Sequence, residues 1–261
     1  MISFSFGKNW LSYVSRMTEA DIEKAMGDIE ELLGKERIQK ARVIDIGSGS
    51  GIHSLSFHRL GAKSVASYDV DPHSVEATHK LWEEAGKPAN WTVERASILD
   101  DAWVKKAGTY DIVYSWGVLH HTGSMWKAID NAAELCAPGG TMFIALYTKG
   151  GLYPKDLALK ERYNRSSDLG KRLMEARYIA RYMWGELRWL RSPLGWNKPT
   201  TRGMNTYIDL VDWLGGLPYE VASIDEVVVR MRKKGFTAER IVALGEGSCS
   251  SYVFTRAPAG A

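Results

Sequence analysis

Five short apolar runs recur along the chain, at about 42–46, 64–69, 91–95, 110–115 and 141–147, each closed by a polar or glycine-rich turn. Between them, at about 52–60, 73–85, 100–106 and 125–136, apolar positions return every three or four residues. The first pattern predicts buried strands and the second amphipathic helices. Their regular alternation predicts a parallel sheet covered by helices on both faces. Thr18–Leu33 reads as an earlier helix, with Thr18 as N-cap and Asp21 at the third helical position, a near relative of a capping box. Ser223–Lys234 reads as a late helix ended by Gly235, and strands at 237–244 and 251–256 follow it.

The first strand runs through Val43-Ile44-Asp45-Ile46 into the turn Gly47-Ser48-Gly49-Ser50-Gly51. Glycines let backbone approach a ligand closely, since no Cβ stands in the way. Such a turn serves several nucleotide-like ligands, so the turn alone does not choose among them. Asp45 chooses. A dinucleotide site aims amides and a helix N-terminus at pyrophosphate, which a nearby carboxylate would repel. A ligand carrying an ammonium or a sulfonium would be attracted instead, and S-adenosylmethionine carries both. The second strand, Ser64–Asp69, ends in an acid a little over twenty residues past Gly47, the position of a ribose-binding carboxylate in doubly wound folds. Asp71, just before Pro72, reads as the cap of the next helix.

With these motifs in place, the chain resembles the class I S-adenosylmethionine-dependent methyltransferases, in the group of the ubiquinone-biosynthesis O-methyltransferases. Val43–Gly51 matches the family's glycine-rich motif and Asp69 its ribose acid. Tyr110–Ser115 matches the fourth strand and Pro138-Gly139-Gly140 the turn into the fifth. The matches keep family order and spacing from about residue 40 to 147. The resemblance implies a Rossmann-like, doubly wound α/β fold with a seven-stranded sheet, closed by an antiparallel hairpin, and a helical lid insert between the fifth strand and that hairpin. It implies S-adenosyl-L-methionine as cofactor, held by Asp45, Gly47, Ser48, Gly49, Gly51, Asp69, Val70, Ser97, Ile98, Trp116 and Gly117. Ser97 departs from the family pattern, which carries an acid there for the adenine amino group.

Composition fits a soluble enzyme: 25% charged and 45% hydrophobic residues, with no apolar run near the ~20 residues of a membrane span. The N-terminus lacks a basic stretch followed by an apolar core, so no secretory signal is expected and the expected location is cytoplasmic. Cys136 and Cys249 form neither a disulfide framework nor a metal-ligand cluster, and no metal is expected. The net charge of +3 hides an uneven distribution. Lys149 to Arg202 holds 13 Lys/Arg against 5 Asp/Glu, a net of +8, and leaves the rest of the chain at −5. Seven Tyr and Trp residues fall in the same block.

The chain accordingly divides into an N-terminal helical flap (1–38), a cofactor-binding core (39–148), a basic aromatic insert acting as acceptor lid (149–222), and a C-terminal helix and strands completing the core (223–261). Within the insert, Leu169, Leu173, Ala176, Ala180, Met183, Leu187 and Leu190 recur at helical spacing, with arginines over the other faces. Three readings stay open for that stripe: a lid packing on the domain or on a second subunit of a homodimer, peripheral contact with an anionic membrane, or tracking of a phosphate-bearing acceptor.

Methyl transfer asks little of a protein beyond alignment, which is worth up to ~7–11 kcal/mol. Where the acceptor must lose a proton, His121 or His120, just past the fourth strand, is the candidate base. Trp10, His53, Arg202, Tyr207, Asp209, Trp213 and Tyr219 are candidates for the acceptor side, a polar and aromatic set suited to a hydroxylated or ring-bearing small molecule. Ser250-Ser251 stands where related glycan and natural-product enzymes carry Asn-Glu. His58, His73 and His79 fall on helices and are expected to be solvated. O-methylation of a glycan-, quinone- or natural-product-type small molecule is the expected function. The alternative is an RNA or other phosphate-bearing acceptor bound through the basic insert, although the Asn/Asp-Pro-Pro-Tyr type of motif of amino-methylating nucleic-acid enzymes is absent.

Overall fold

The computed structural model describes residues 6–188 and 206–260. Two compact units emerge among them, one of residues 6–153 with 219–260 and one of residues 154–188 with 206–218. The core unit opens with α1 (Gly7–Val14), α2 (Glu19–Leu33) and α3 (Lys35–Ile38). It then alternates β1 (Arg42–Ile46), α4 (Ile52–Arg59), β2 (Ser64–Asp69), α5 (Pro72–Glu84), β3 (Trp91–Arg95), α6 (Asp101–Ala107), β4 (Tyr110–Trp116), α7 (Met125–Glu134) and β5 (Cys136–Tyr147). Three helices follow β5: α8 (Tyr153–Arg165), α9 (Asp168–Arg188) and α10 (Thr206–Gly215). The core resumes with α11 (Ile224–Lys233), β6 (Phe236–Val242) and β7 (Cys249–Arg256).

Among the described residues the seven strands form one sheet in the order β3-β2-β1-β4-β5-β7-β6. β1 to β5 pair parallel, while β7 pairs antiparallel with both β5 and β6. Side chains alternate across each strand. Val43, Val65, Ile112, Tyr114 and Phe143 therefore enter one buried layer with α2, α4 and α5. Ile44, Ile46, Val113, Met142 and Ile144 enter the other with α7 and α11. Each such fully buried aliphatic side chain contributes ~1.5–3 kcal/mol.

Helix starts follow their expected caps. Thr18 and Asp21 exchange hydrogen bonds in a full capping box, and Ser223 and Glu226 do the same at α11. Asp71 caps α5 by accepting from the His73 N–H. One boundary differs from expectation. β5 begins at Cys136, so Pro138-Gly139-Gly140 lies inside the strand and not ahead of it. Tyr110 pairs with Cys136 but Ile112 pairs with Thr141, so the extra residues are absorbed as a bulge.

The insert unit is held by polar contacts as well as packing. The fully buried Lys160 ammonium donates to the Trp213 carbonyl and lies over the Trp213 ring, and Asn164 donates to the Gly215 carbonyl at 2.8 Å. Both bonds tie α8 to α10. Glu175 of α9 accepts the Tyr163 and Tyr207 hydroxyls, each at 2.6 Å.

Candidate functional site

The strand order reverses direction between β1 and β4, which puts a crevice beyond their carboxyl ends, the usual ligand position in doubly wound sheets. Asp45 stands there, next to last in β1, and is only 2% exposed. It shares the face of Val43, where α4 packs, so Ser54 reaches it and donates to Oδ2 at 2.6 Å. Ser67 of β2 donates to Ser54 at 2.6 Å, and the Trp91 indole N–H of β3 donates to Ser67 at 2.8 Å. Three buried donors thus line up in one direction and end on the Asp45 carboxylate. Burial still pushes Asp45 up to about 7, opposed by Ser54 and reinforced by the charge of Asp69.

Asp69, the last residue of β2, is bound into the glycine turn. Its Oδ2 accepts the Gly49 N–H at 3.0 Å and its Oδ1 the Asp71 N–H at 2.9 Å. Burial raises it to about 6 against those bonds. The Val70 N–H bonds it as well, and since a carboxylate offers about four acceptor positions, about one remains for a hydroxyl of a ligand. The charges that perturb this pair are other carboxylates, Asp69 on Asp45 and Asp71 on Asp69; neither is paired with a Lys or Arg among the described residues.

The turn between them is not an anion cradle. The Gly47 and Ser48 amides both donate to the Tyr68 carbonyl, Gly49 donates to Asp69, and Gly51 donates to the Ser48 carbonyl. Amides already used in this way are not aimed at a pyrophosphate. Gly47 and Gly49 are required by shape. Both have positive φ, and a Cβ on Gly47 would come within 2.4 Å of Val118, one on Gly49 within 3.2 Å of the Trp10 indole. Trp10 of α1 therefore lies directly on the turn, and the start of α1 is tied down by the Gly7 N–H donating to Asp71 at 3.2 Å.

The remaining cofactor-side candidates surround this point. Ser48 turns its hydroxyl to Thr78 at 2.9 Å, so that side chain is already engaged and only its backbone faces the turn. Val70 is exposed beside Asp69. Ser97 accepts the Leu99 N–H, and the Ile98 carbonyl accepts from Asn131. Trp116 ends β4 and Gly117 follows it, both half-buried, with open space where a Gly117 Cβ would stand. Two acids, one buried and one half-buried, paired with no Lys or Arg among the described residues and set beside a glycine turn, fit a cationic ribose-bearing ligand.

Residues 17–190 match the methyltransferase domain family. The chain belongs to the methyltransferase family. Members of this family use S-adenosylmethionine, and the fit above agrees. Over 105 residues the chain is 32% identical to a ubiquinone biosynthesis O-methyltransferase of Xanthomonas axonopodis pv. citri, covering 40% of this chain and 42% of the relative. It is 33% identical over 104 residues to the enzyme of the same name from a Chelativorans species, covering 40% and 39%. The match thus spans about two-fifths of these relatives. The fold is shared with a magnesium protoporphyrin IX methyltransferase from Synechocystis PCC 6803 with bound SAH, at 15% identity and a TM-score of 0.55, covering 90% of this chain and 83% of that one. An O-methyltransferase family protein from Burkholderia thailandensis gives the same TM-score and identity, over 92% of this chain and 58% of that one.

Beyond the end of β4, the core unit gathers an aromatic cluster. His120 and His121 form a 3-10 turn after β4, and Tyr147 ends β5 with its ring 4.3 Å from His120 and 5.5 Å from His121. Tyr219 packs on Tyr147 and Tyr153, and Phe6 on His121. Of these two candidate bases, His120 is fully buried in the cluster and His121 half-buried. His53 stands half-buried against Tyr114, 5.1 Å between ring centroids. Glu220 accepts the Met125 N–H at 3.0 Å and is raised by burial.

Other candidates belong to the insert unit. Tyr207 gives its hydroxyl to Glu175, Trp213 packs on Tyr178 and Lys160, and Asp209 lies in α10. Arg202 lies outside the described residues. His58 corrects an expectation: it is not a solvated helix residue, since its ring stacks on Trp91 and its Nδ1 is buried without a hydrogen-bond partner. The Ser67–Ser54 relay was missed because neither serine belongs to a motif. Its signal was two hydroxyl residues at inward-facing positions of an otherwise apolar strand and helix.

Proposed function

We propose that this chain transfers a methyl group from S-adenosylmethionine to an oxygen of a small molecule of glycan, quinone or natural-product type. The observation that carries the reading is the pair of carboxylates at the ends of β1 and β2, Asp45 buried and Asp69 half-buried, both raised by burial and paired with no Lys or Arg among the described residues. In this reading Asp45 and the 47–51 turn hold the methionine part, Asp69 and Val70 the ribose, and Ser97, Ile98, Trp116 and Gly117 the adenine side.

When bound, the cofactor supplies a methyl group on a sulfonium, open to in-line displacement. The protein's own share is to align an acceptor oxygen, exclude water and receive a proton. Alignment is the larger share, up to ~7–11 kcal/mol. The imidazole of His121 takes the acceptor's hydroxyl proton, a contribution of ~10²–10⁴-fold. Trp10, His53 and Tyr219 serve the acceptor from the core unit. The choice of oxygen is supported by the likeness to ubiquinone biosynthesis O-methyltransferases, a likeness of about two-fifths of each chain.

Incubation with methyl-labelled S-adenosylmethionine and panels of hydroxylated sugars, quinols and phenols tests the reading. Label is expected on one hydroxyl class, with release of S-adenosylhomocysteine. Cofactor binding without transfer to any of them, or transfer to RNA instead, would overturn it.

A further inference from the structure

Helix α9 turns its apolar stripe outward. Leu169 is 70% exposed, Leu173 63%, Trp184 72% and Leu187 51%. At about 3.6 residues per turn these four share one face with Ala176 and Ala180, both also exposed. The covered side of α9 carries Glu175, buried and holding the Tyr163 and Tyr207 hydroxyls, with Met174, Tyr178 and Ile179 half-buried around it. A surface helix ordinarily buries its apolar stripe, so the exposed stripe of α9 departs from that pattern.

Charge follows the same division. Arg172 borders the stripe on one side, and Arg177, Arg181 and Arg188 border it on the other, all of them exposed. The acids of α9, namely Asp168, Glu175 and Glu186, lie outside the stripe, beyond Arg172. We propose that this face of α9 docks the protein on an anionic lipid bilayer, lying in the interfacial plane. An apolar stripe flanked by arginines, with Trp184 at its exposed edge, is the pattern of an interfacial helix. No described helix is long and apolar enough to cross a membrane, so the contact is peripheral. A second copy of the chain is the poorer occupant. Pairing two such faces would set arginine borders against arginine borders with no acid between them.

Co-sedimentation of the whole protein with vesicles tests this. One set is phosphatidylcholine alone; the other contains about one-third phosphatidylglycerol. Partitioning to the anionic vesicles is expected to be at least about tenfold stronger and to fall as salt rises. Leu173→Glu with Trp184→Glu, and separately Arg177→Glu with Arg181→Glu, are each expected to remove that preference. All four positions are exposed, so circular dichroism and S-adenosylmethionine affinity are expected to match the unsubstituted protein. Equal partitioning to both vesicle types, or none to either, would overturn the proposal. So would an ultracentrifugation dimer that Leu173→Glu with Trp184→Glu breaks while vesicle partitioning stays unchanged.

Discussion

Ser54 donates its hydroxyl to the Asp45 carboxylate at 2.6 Å inside the core, 2% of Asp45 being exposed. The bond favours the ionised acid where burial disfavours it. A hydrogen bond to a charged group contributes ~1.5–3 kcal/mol, so Ser54→Ala is expected to weaken S-adenosylmethionine binding near neutral pH by at least about tenfold. Alkaline solution is expected to restore part of the loss, because the carboxylate then ionises without the serine. Calorimetry at two pH values checks this; equal weakening at both would mean that Ser54 acts on shape alone.

Binding itself is expected to depend on pH. Asp45 at about 7 and Asp69 at about 6 must both be ionised to face a cation. Affinity is expected to rise as pH increases through these values and to level off above about 7, with protons released on binding below that point. Titrations in buffers of different ionisation enthalpy measure the release. The free protein should behave oppositely. The folded values lie above the ~3.9 of an unfolded aspartate, so the stability these groups contribute is complete below about pH 4 and is lost as pH rises through about 6 to 7.

The glycine turn is expected to tolerate no side chain. Gly47→Ala places a Cβ 2.4 Å from Val118 at a φ of +77°. The left-handed conformation alone costs ~1–2 kcal/mol, and Val118 must also shift. A lowered melting temperature together with weaker cofactor binding is expected. Thermal melts with and without S-adenosylmethionine report both.

His121→Ala is expected to lower turnover by ~10²–10⁴-fold once an acceptor is known, with S-adenosylmethionine affinity unchanged. A loss of cofactor affinity with turnover preserved at saturation would assign His121 to binding instead.

What could be read in the chain depended on whether one segment carried the signal. Asp45, the 47–51 glycines and Asp69 sit in continuous motifs, and the parallel sheet with its closing antiparallel hairpin follows from alternation and from the family resemblance they carry. The Trp91–Ser67–Ser54 relay runs across three elements, so no local pattern exposes it. Periodicity located the stripe on α9 but says nothing about which side is covered, and here the covered side is the one that carries Glu175 with its two tyrosines. The start of β5 escaped for a related reason. Pro138-Gly139-Gly140 has the composition of a turn, and only pairing with Tyr110 and Ile112 makes it a bulged strand.

The central claim is that two acids, Asp45 and Asp69, hold a cationic methyl donor. Calorimetric titration of S-adenosylmethionine into Asp45→Asn protein at a pH above about 7, beside the unsubstituted chain, tests it most directly. Asparagine keeps the size and can still accept from Ser54, so the protein is expected to stay folded by circular dichroism. The charge is what is lost, and affinity is expected to fall by ~2 kcal/mol or more, roughly 30-fold. Unchanged affinity in a folded Asp45→Asn protein would contradict the account.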